Sequence, residues 1–443
     1  NIPAKARKGF DDFNAQGSYN LVIEFKPDDS NTIFIGGTNI YRSTDGFTTP
    51  NNTVQIGGYA VGTQRPNWSV YEDHHPDQHV IVFLPSNPDV MINFNDGGVF
   101  KTLDCMAPTV KWTSLNNGYQ TTQLYTINFK TTANDPVMIS GYQDNGNYFT
   151  NTTDPKASWV MPMNGDGAYS AIPKNHDFYI FSTQIGKMAK MKLDANGNRI
   201  EFNRIDPIGG TDYQFINPFV MDPNDDDIIY LPEGTKLWRN DSVTSIPYDN
   251  SYDSIAMGWS RFSDTVDLPN RSITAIAVTE RNPEHRLYIG TNYRFIYRVD
   301  QANQGDPEMI RLSSAGLPNG NVSCLAIDPH DGNKVLAVYS NYGIKSLFYT
   351  TDAGETWENV SANLEENFDG SGNGPSTRWA SILPVNGQNI YLVGTSVGLF
   401  ASGEPKGSNT YWQKVAENDI GNVVIEMIKT READGLIAVA THG

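Results

Sequence analysis

Apolar and polar positions recur along this chain in one phrase. An alternating apolar stretch is followed by a turn rich in Pro, Asn or Asp. A second alternating stretch ends in a Gly-rich turn. The copies are Leu21–Gly37, Val80–Gly98, Tyr125–Gly146, Tyr169–Gln184, Phe219–Gly234, Ile273–Thr291, Cys324–Ser340, Trp379–Thr395 and Val424–Gly443. Alternation with period two is the signature of a strand with one buried face. A third strand follows many copies, as in Asn39–Ser43, Val99–Thr102 and Leu347–Thr350. No segment has helical periodicity. The repeat length of about 40–60 residues suits a propeller blade. Four antiparallel strands per repeat, set radially, make a propeller. The pattern therefore predicts an all-β chain of four-stranded antiparallel blades, about eight plus a partial one. A pair of β-sandwiches does not account for a turn-for-turn repeat, and solenoid repeats are usually shorter.

One turn is spelled out most fully, in Leu347–Val360. Thr350, Asp352, Gly354, Thr356 and Trp357 fit the Asp-box pattern. Gly354 supplies a position open to positive φ. The Asp352 carboxylate accepts bonds from turn amides. Trp357 is expected to bury its ring between neighbouring sheets. Ser43–Thr49 reads as a shortened copy and Thr102–Trp112 as one with an insertion. These are fold-building devices.

Composition narrows the function classes. The 443 residues carry a net charge of −18. Phosphate backbones and anionic membranes need a basic surface, so nucleic acid is excluded as a partner. No stretch is long and apolar enough for membrane insertion as a helix. Cys105 and Cys324 lie far apart and form no metal-ligand spacing. The first residues are basic and lack an apolar leader core. Both ends read as cuts in a longer protein, whose remainder is an expected partner. Residues 1–17 are expected to be a linker or the remnant of an upstream blade, and residues 18–443 to be blades, the last truncated.

Propeller topology sorts the turns. With strands A to D counted from the axis outward, A–B and C–D turns share one face; B–C turns and D–A loops share the other. The second face is expected to gather His75, Asp77 and His79, Asp96, then Gln143, Asp144 and Asn145, then Asp166. Three readings compete. Asp and Asn beside Gly are ordinary turn formers. His75, Asp77 and His79 alternate and could face one way as metal ligands, with carboxylate and amide oxygens suiting a divalent ion such as calcium. Glycoside hydrolysis needs two carboxylates about 5–5.5 Å or about 6.5–9.5 Å apart; Asp77 and Asp166 are the best pair, with Asp144 in reserve. Tyr71, Tyr142, Tyr169 and Trp68 offer rings for stacking on sugars, and Asp96, Gln143 and Asn145 offer polar contacts. No cofactor is required by any motif.

The phrases GGTNIYRS (Gly36–Ser43), HPDQH (His75–His79), NDGGVF (Asn95–Phe100), QDNG (Gln143–Gly146), GDG (Gly165–Gly167) and ATHG (Ala440–Gly443) resemble Asp-box, or BNR-type, propellers. That group includes the sortilin/Vps10 propeller and, more distantly, glycoside hydrolase family 74. The resemblance is closest to large secreted Bacteroidetes proteins that end in a type IX secretion sorting domain. It implies a two-propeller parent and an extracellular or cell-surface location. It does not imply an activity. The expected function is a binding scaffold for polysaccharide or protein partners. An endo-acting glycoside hydrolase with paired aspartates is the alternative, and a structural surface-assembly component the second.

Overall fold

A computed structural model describes residues 13–63, 69–119, 122–266 and 271–443. The chain is all-β. Eight four-stranded antiparallel sheets and one two-stranded sheet each run as a meander, strand beside next strand. Each copy of the repeated phrase founds one sheet, so the blades are those the alternation predicts. The α-helix among the described residues is the four-residue Glu417–Ile420. No helix of the described residues is long and apolar enough to cross a membrane. The chain divides into two compact units, Asn1–Thr121 and Thr122–Gly443. Of the segment 1–17, residues 13–17 are described.

The first unit holds two sheets, which start from the strands Val22–Lys26 and Gln78–Leu84. Their shared core contains Phe34, Ile40, Ile56, Ile81, Met91, Phe100 and Trp112. Alternation then dictates what lies on the outer faces. Ile81 is buried, so its neighbours Val80 and Val82 point away and are each 45% exposed. Val22 packs on the core, so Ile23 and Phe25 are exposed. Trp112 fixes the pairing of the sheets by donating its indole N–H to Ile56 O, 2.7 Å away.

The second unit has seven sheets, and each consecutive pair encloses its own apolar cluster. Strand alternation supplies both sides. On the strand Val322–Asp328, Leu325 faces the preceding sheet with Tyr288 and Ile296. Cys324 and Ala326 face the following one with Ile382 and Val393. The last cluster joins the final sheet to the first of this unit, through Ile127, Met427 and Ala440. Seven interfaces for seven sheets make a closed ring.

The innermost strands meet edge to axis, leaving carbonyls without ladder partners. Short polar side chains satisfy several of them across the sheet boundaries. Thr126 Oγ1 donates to Ala168 O at 2.7 Å and Asn128 Nδ2 to Ser170 O at 3.0 Å. Thr274 Oγ1 donates to Val322 O at 2.7 Å, and Ser323 Oγ to Arg378 O at 2.8 Å. At the closure Arg431 Nη1 donates to both Lys130 O and Asp135 O at 2.9 Å. The bridge between Gln123 and His442 closes the other end of the same pair of strands.

The turn after Thr350 is held by its own side chains. Thr350 Oγ1 donates to Asp352 Oδ1 at 2.7 Å and accepts from Gly354 N at 3.0 Å. Thr356 donates to Asp352 through its amide at 2.9 Å and its hydroxyl at 2.6 Å. Trp357 packs on the cluster that contains Leu312 and Leu317, between two sheets. Ser43–Thr49 makes the same set of bonds. Ser43 Oγ donates to Asp45 Oδ1, Phe47 N donates to Ser43 Oγ, and Thr49 donates twice to Asp45 Oδ2. This copy is therefore full length, not shortened. Phe47 stands where the other copy has Gly354, and it adopts φ 60°.

Candidate functional site

The seven inner strands of the second unit enclose a cavity of about 400 Å³ on the ring axis. Its wall draws on every sheet of that unit. Small and apolar residues dominate it, among them Ala171, Ala277, Leu325, Ala326 and Ile382. Polar side chains are spaced between them: Asn128, Ser170, Ser323, Ser381 and Thr430. Much of the hydrogen-bonding capacity of these groups is spent on ring closure, as when Ser381 Oγ and Thr430 Oγ1 pair at 2.8 Å.

Tyr169 and Trp379 line the part of the cavity nearest the D–A side, since both sit early in their inner strands. They share one packed cluster. Burial pushes the Tyr169 phenol well above its ordinary pKa, and the nearby Cys324 thiol and Glu426 carboxylate add to the rise. Burial likewise pushes the Cys324 thiol up to about 12. Toward that side Glu426 pairs with Arg378 Nη1 at 2.5 Å and with His442 Nε2 at 3.0 Å.

The opposite mouth is built from A–B turns. Asp222 and Asp226 both line the cavity. Asp222 accepts from Asn224 N and lies 2.9 Å from His285 Nδ1 and 3.3 Å from Tyr230 OH. Asp226 accepts from the amides of Lys174 and Asn175 and lies 3.0 Å from His176 Nδ1. Both carboxylates are thus committed to holding turns. Lys174 Nζ pairs with Glu280 Oε1 at 2.8 Å.

Lys429 completes this mouth. It projects from the inner strand Val424–Arg431 into the cavity. Its side chain is exposed within the cavity. Partial desolvation by the surrounding sheets is the main cause that lowers its pKa; Glu280 opposes the shift and Lys174 adds to it. Sequence reading missed this group. A single lysine near the end of an apolar strand looks like an ordinary solvent-facing position.

The residues singled out from the sequence fall into both units. In the first, Asp77 Oδ1 accepts from Gln16 Nε2 and Asn20 Nδ2, both at 2.6 Å. Its backbone has φ 66°, so His75, Asp77 and His79 do not follow one extended strand and the expected alternation fails there. His75 Nδ1 contacts Pro76 O at 3.0 Å, and His79 Nε2 lies 2.5 Å from Asp96 Oδ1. Tyr71 packs on the core and donates its hydroxyl to Val110 O. Trp68 lies outside the described residues. The neighbouring His74, which the same loop was expected to carry to the rim, is instead buried against Trp112, ring centroids 4.2 Å apart, and its Nδ1 accepts from Gly58 N.

In the second unit Asp166 Oδ1 accepts from the Asp144 amide at 3.0 Å. Gln143 O accepts from Asn145 Nδ2. Tyr142 packs edge-on to Tyr148 and Trp159, and burial pushes its phenol up to about 12. Tyr169 is the one candidate that the ring places on the cavity wall. The fold and this axial cavity define the class, a β-propeller with an open axial cavity. No protein-family model matches the sequence, and no curated protein matches it.

Proposed function

We propose that the chain is a binding module: an Asp-box-type propeller, exported to the cell surface or medium, that engages a polysaccharide or protein partner. The observation that carries this reading is the axial cavity of the seven-sheet ring. Its size falls in the range of ligand sites, about 300–1,000 Å³. Its two acidic wall residues, Asp222 and Asp226, are held by turn amides and imidazoles. Glycoside hydrolysis needs one carboxyl free to donate a proton and a second free to attack or to activate water. A wall of half-buried aromatics, hydroxyls and two ammonium groups, Lys174 and Lys429, suits recognition better than bond cleavage. The paired turns at Asp45 and Asp352 support the family reading, because the same hydrogen-bond set recurs far apart in the chain.

The test is a polysaccharide array combined with capture of surface proteins on the immobilised chain. Retention of a glycan or a protein without new reducing ends supports the reading. Release of reducing ends from a retained glycan would convert it to the hydrolase alternative.

A further inference from the structure

We propose that the first unit binds one calcium ion through side-chain oxygens of Asp77, Asp96 and Asn20. The proposal does not depend on the axial cavity of the second unit. Strand pairing sets the place. Asp77 directly precedes the strand Gln78–Leu84, and Asp96 directly follows the strand Asn87–Asn95. These strands pair with Gln78 opposite Asn95, so the two aspartates leave the ladder side by side. The Asp96 amide donates to Asp77 O at 3.3 Å, and carboxylate oxygens of the two lie within 4.8 Å of one another. Asn20 reaches the same place from the other sheet, just ahead of the strand Val22–Lys26. Its Nδ2 donates to Asp77 Oδ1 at 2.6 Å.

Proximity of two acids does not by itself make a site; the acceptors left over do. The Asp96 side chain is only 9% exposed. Its Oδ1 lies 2.5 Å from His79 Nε2, while its Oδ2 is buried and meets no donor. Asn20 is fully buried, and its Oδ1 also meets no donor. That oxygen shares one planar amide with the nitrogen that touches Asp77, so it sits beside the same carboxylate. Leaving a buried acceptor unmet is costly, and an ordered water or an ion is the usual answer in native proteins. Both orphaned atoms are oxygens, and one belongs to a carboxylate. A cation meets them together with Asp77 and draws the two aspartates to one centre instead of letting them repel.

The donor set selects the ion. It consists of two carboxylates and an amide oxygen, with no thiolate, which suits a hard divalent cation. Calcium accepts neutral amide oxygens and irregular geometry, whereas magnesium demands a near-octahedral set. His79 belongs behind the site: its bond to Asp96 Oδ1 orients the carboxylate, as partners of ligating carboxylates do. The set therefore differs from the alternating His75, Asp77 and His79 expected from the sequence and keeps only Asp77 of them. Three protein residues leave the remaining positions to water, so the affinity should match that of extracellular calcium modules, with Kd about 0.1–1 mM.

Isothermal titration calorimetry on the full chain, stripped of metal with a chelator and dialysed, tests the proposal with calcium chloride and magnesium chloride at constant ionic strength. Calcium is expected to bind one per chain, and magnesium at least ten-fold more weakly. D96N should weaken calcium at least ten-fold, while D369N, on an exposed loop of the second unit, should leave it unchanged. Should D96N fail to fold, terbium luminescence of the wild-type chain replaces it. Tyr19 OH lies 3.5 Å from Asp96 Oδ1, so an ion held there takes up excitation energy from Tyr19. Emission that calcium displaces and Y19F diminishes supports the site. No saturable calcium binding, unchanged binding in folded D96N, magnesium binding as tight as calcium, or terbium emission indifferent to Y19F would each overturn the proposal.

Discussion

Thr356 donates to the Asp352 carboxylate twice, from its amide at 2.9 Å and its hydroxyl at 2.6 Å. Thr49 does the same to Asp45 in another sheet. The turn is thus a closed set of side-chain bonds that ties the third strand of a blade to its fourth. Asp352→Ala removes the acceptor of three of them and should cost about 1 kcal/mol, as loss of a capping side chain does. Gly354→Ala should cost more, about 1–2 kcal/mol. Its φ is +87°, and an added Cβ would lie 2.4 Å from Leu312 Cδ1. Phe47, at the matching place, already occupies positive φ, so Phe47→Gly relieves that backbone constraint and should cost less than Gly354→Ala. Urea midpoints of the three variants check the order.

Ring closure makes a second prediction. The Arg431 guanidinium is nearly buried and binds two carbonyls of the opposite end of the ring, as well as Asp434. Arg431→Met leaves Lys130 O and Asp135 O without that donor. It should destabilise the second unit by about 3 kcal/mol. Hydrogen exchange should then quicken first in Leu124–Phe129 and Val424–Arg431, the strands that meet there. Exchange that quickens uniformly over all seven sheets would argue that closure lies elsewhere.

The repeat, the sheet count and the turn chemistry were legible in the sequence, because each depends on neighbours a few residues apart. Alternation in Val322–Asp328 is enough to say which side chains face which sheet. The cavity was not legible in the same way. Lys429, Lys174 and Glu280 come from three different sheets, and only closure of the ring brings them to one mouth. Their turns looked structural, and for Asp222 and Asp226 that reading is right. The division after Thr121 leaves no mark in the phrase, which runs through it unchanged. Ser43–Thr49 reads as short because it has no glycine at the place of Gly354; the bonds put Phe47 there.

His74 carries a pH prediction for the first unit. Burial, with His75 adding, pushes its pKa down to about 3 from an ordinary 6.5. The folded state holds it neutral. Its contribution to stability is therefore complete above pH 6.5 and is lost as pH falls toward 3, at about 1.4 kcal/mol per pH unit. The ring protons of His74 should show no titration by NMR down to about pH 4. A midpoint near 6.5 would mean that the ring is not packed under Trp112.

The thiols offer a simple check on packing. Burial pushes Cys105 up to about 11 and Cys324 up to about 12, and neither is in a disulfide. Only the thiolate reacts, so both should resist alkylation at neutral pH in the native chain and react together once urea unfolds it. Fast native labelling of Cys324 would open the interface between its sheet and the next.

The most direct test of a ligand site on the ring axis is hydrogen–deuterium exchange of the full chain with and without the glycan or protein that the binding screen retains. Slowed exchange confined to Val424–Arg431, Gly167–Ala171 and residues 172–178 is the predicted result. Slowing confined to the rim turn 143–145, or none anywhere, would contradict it.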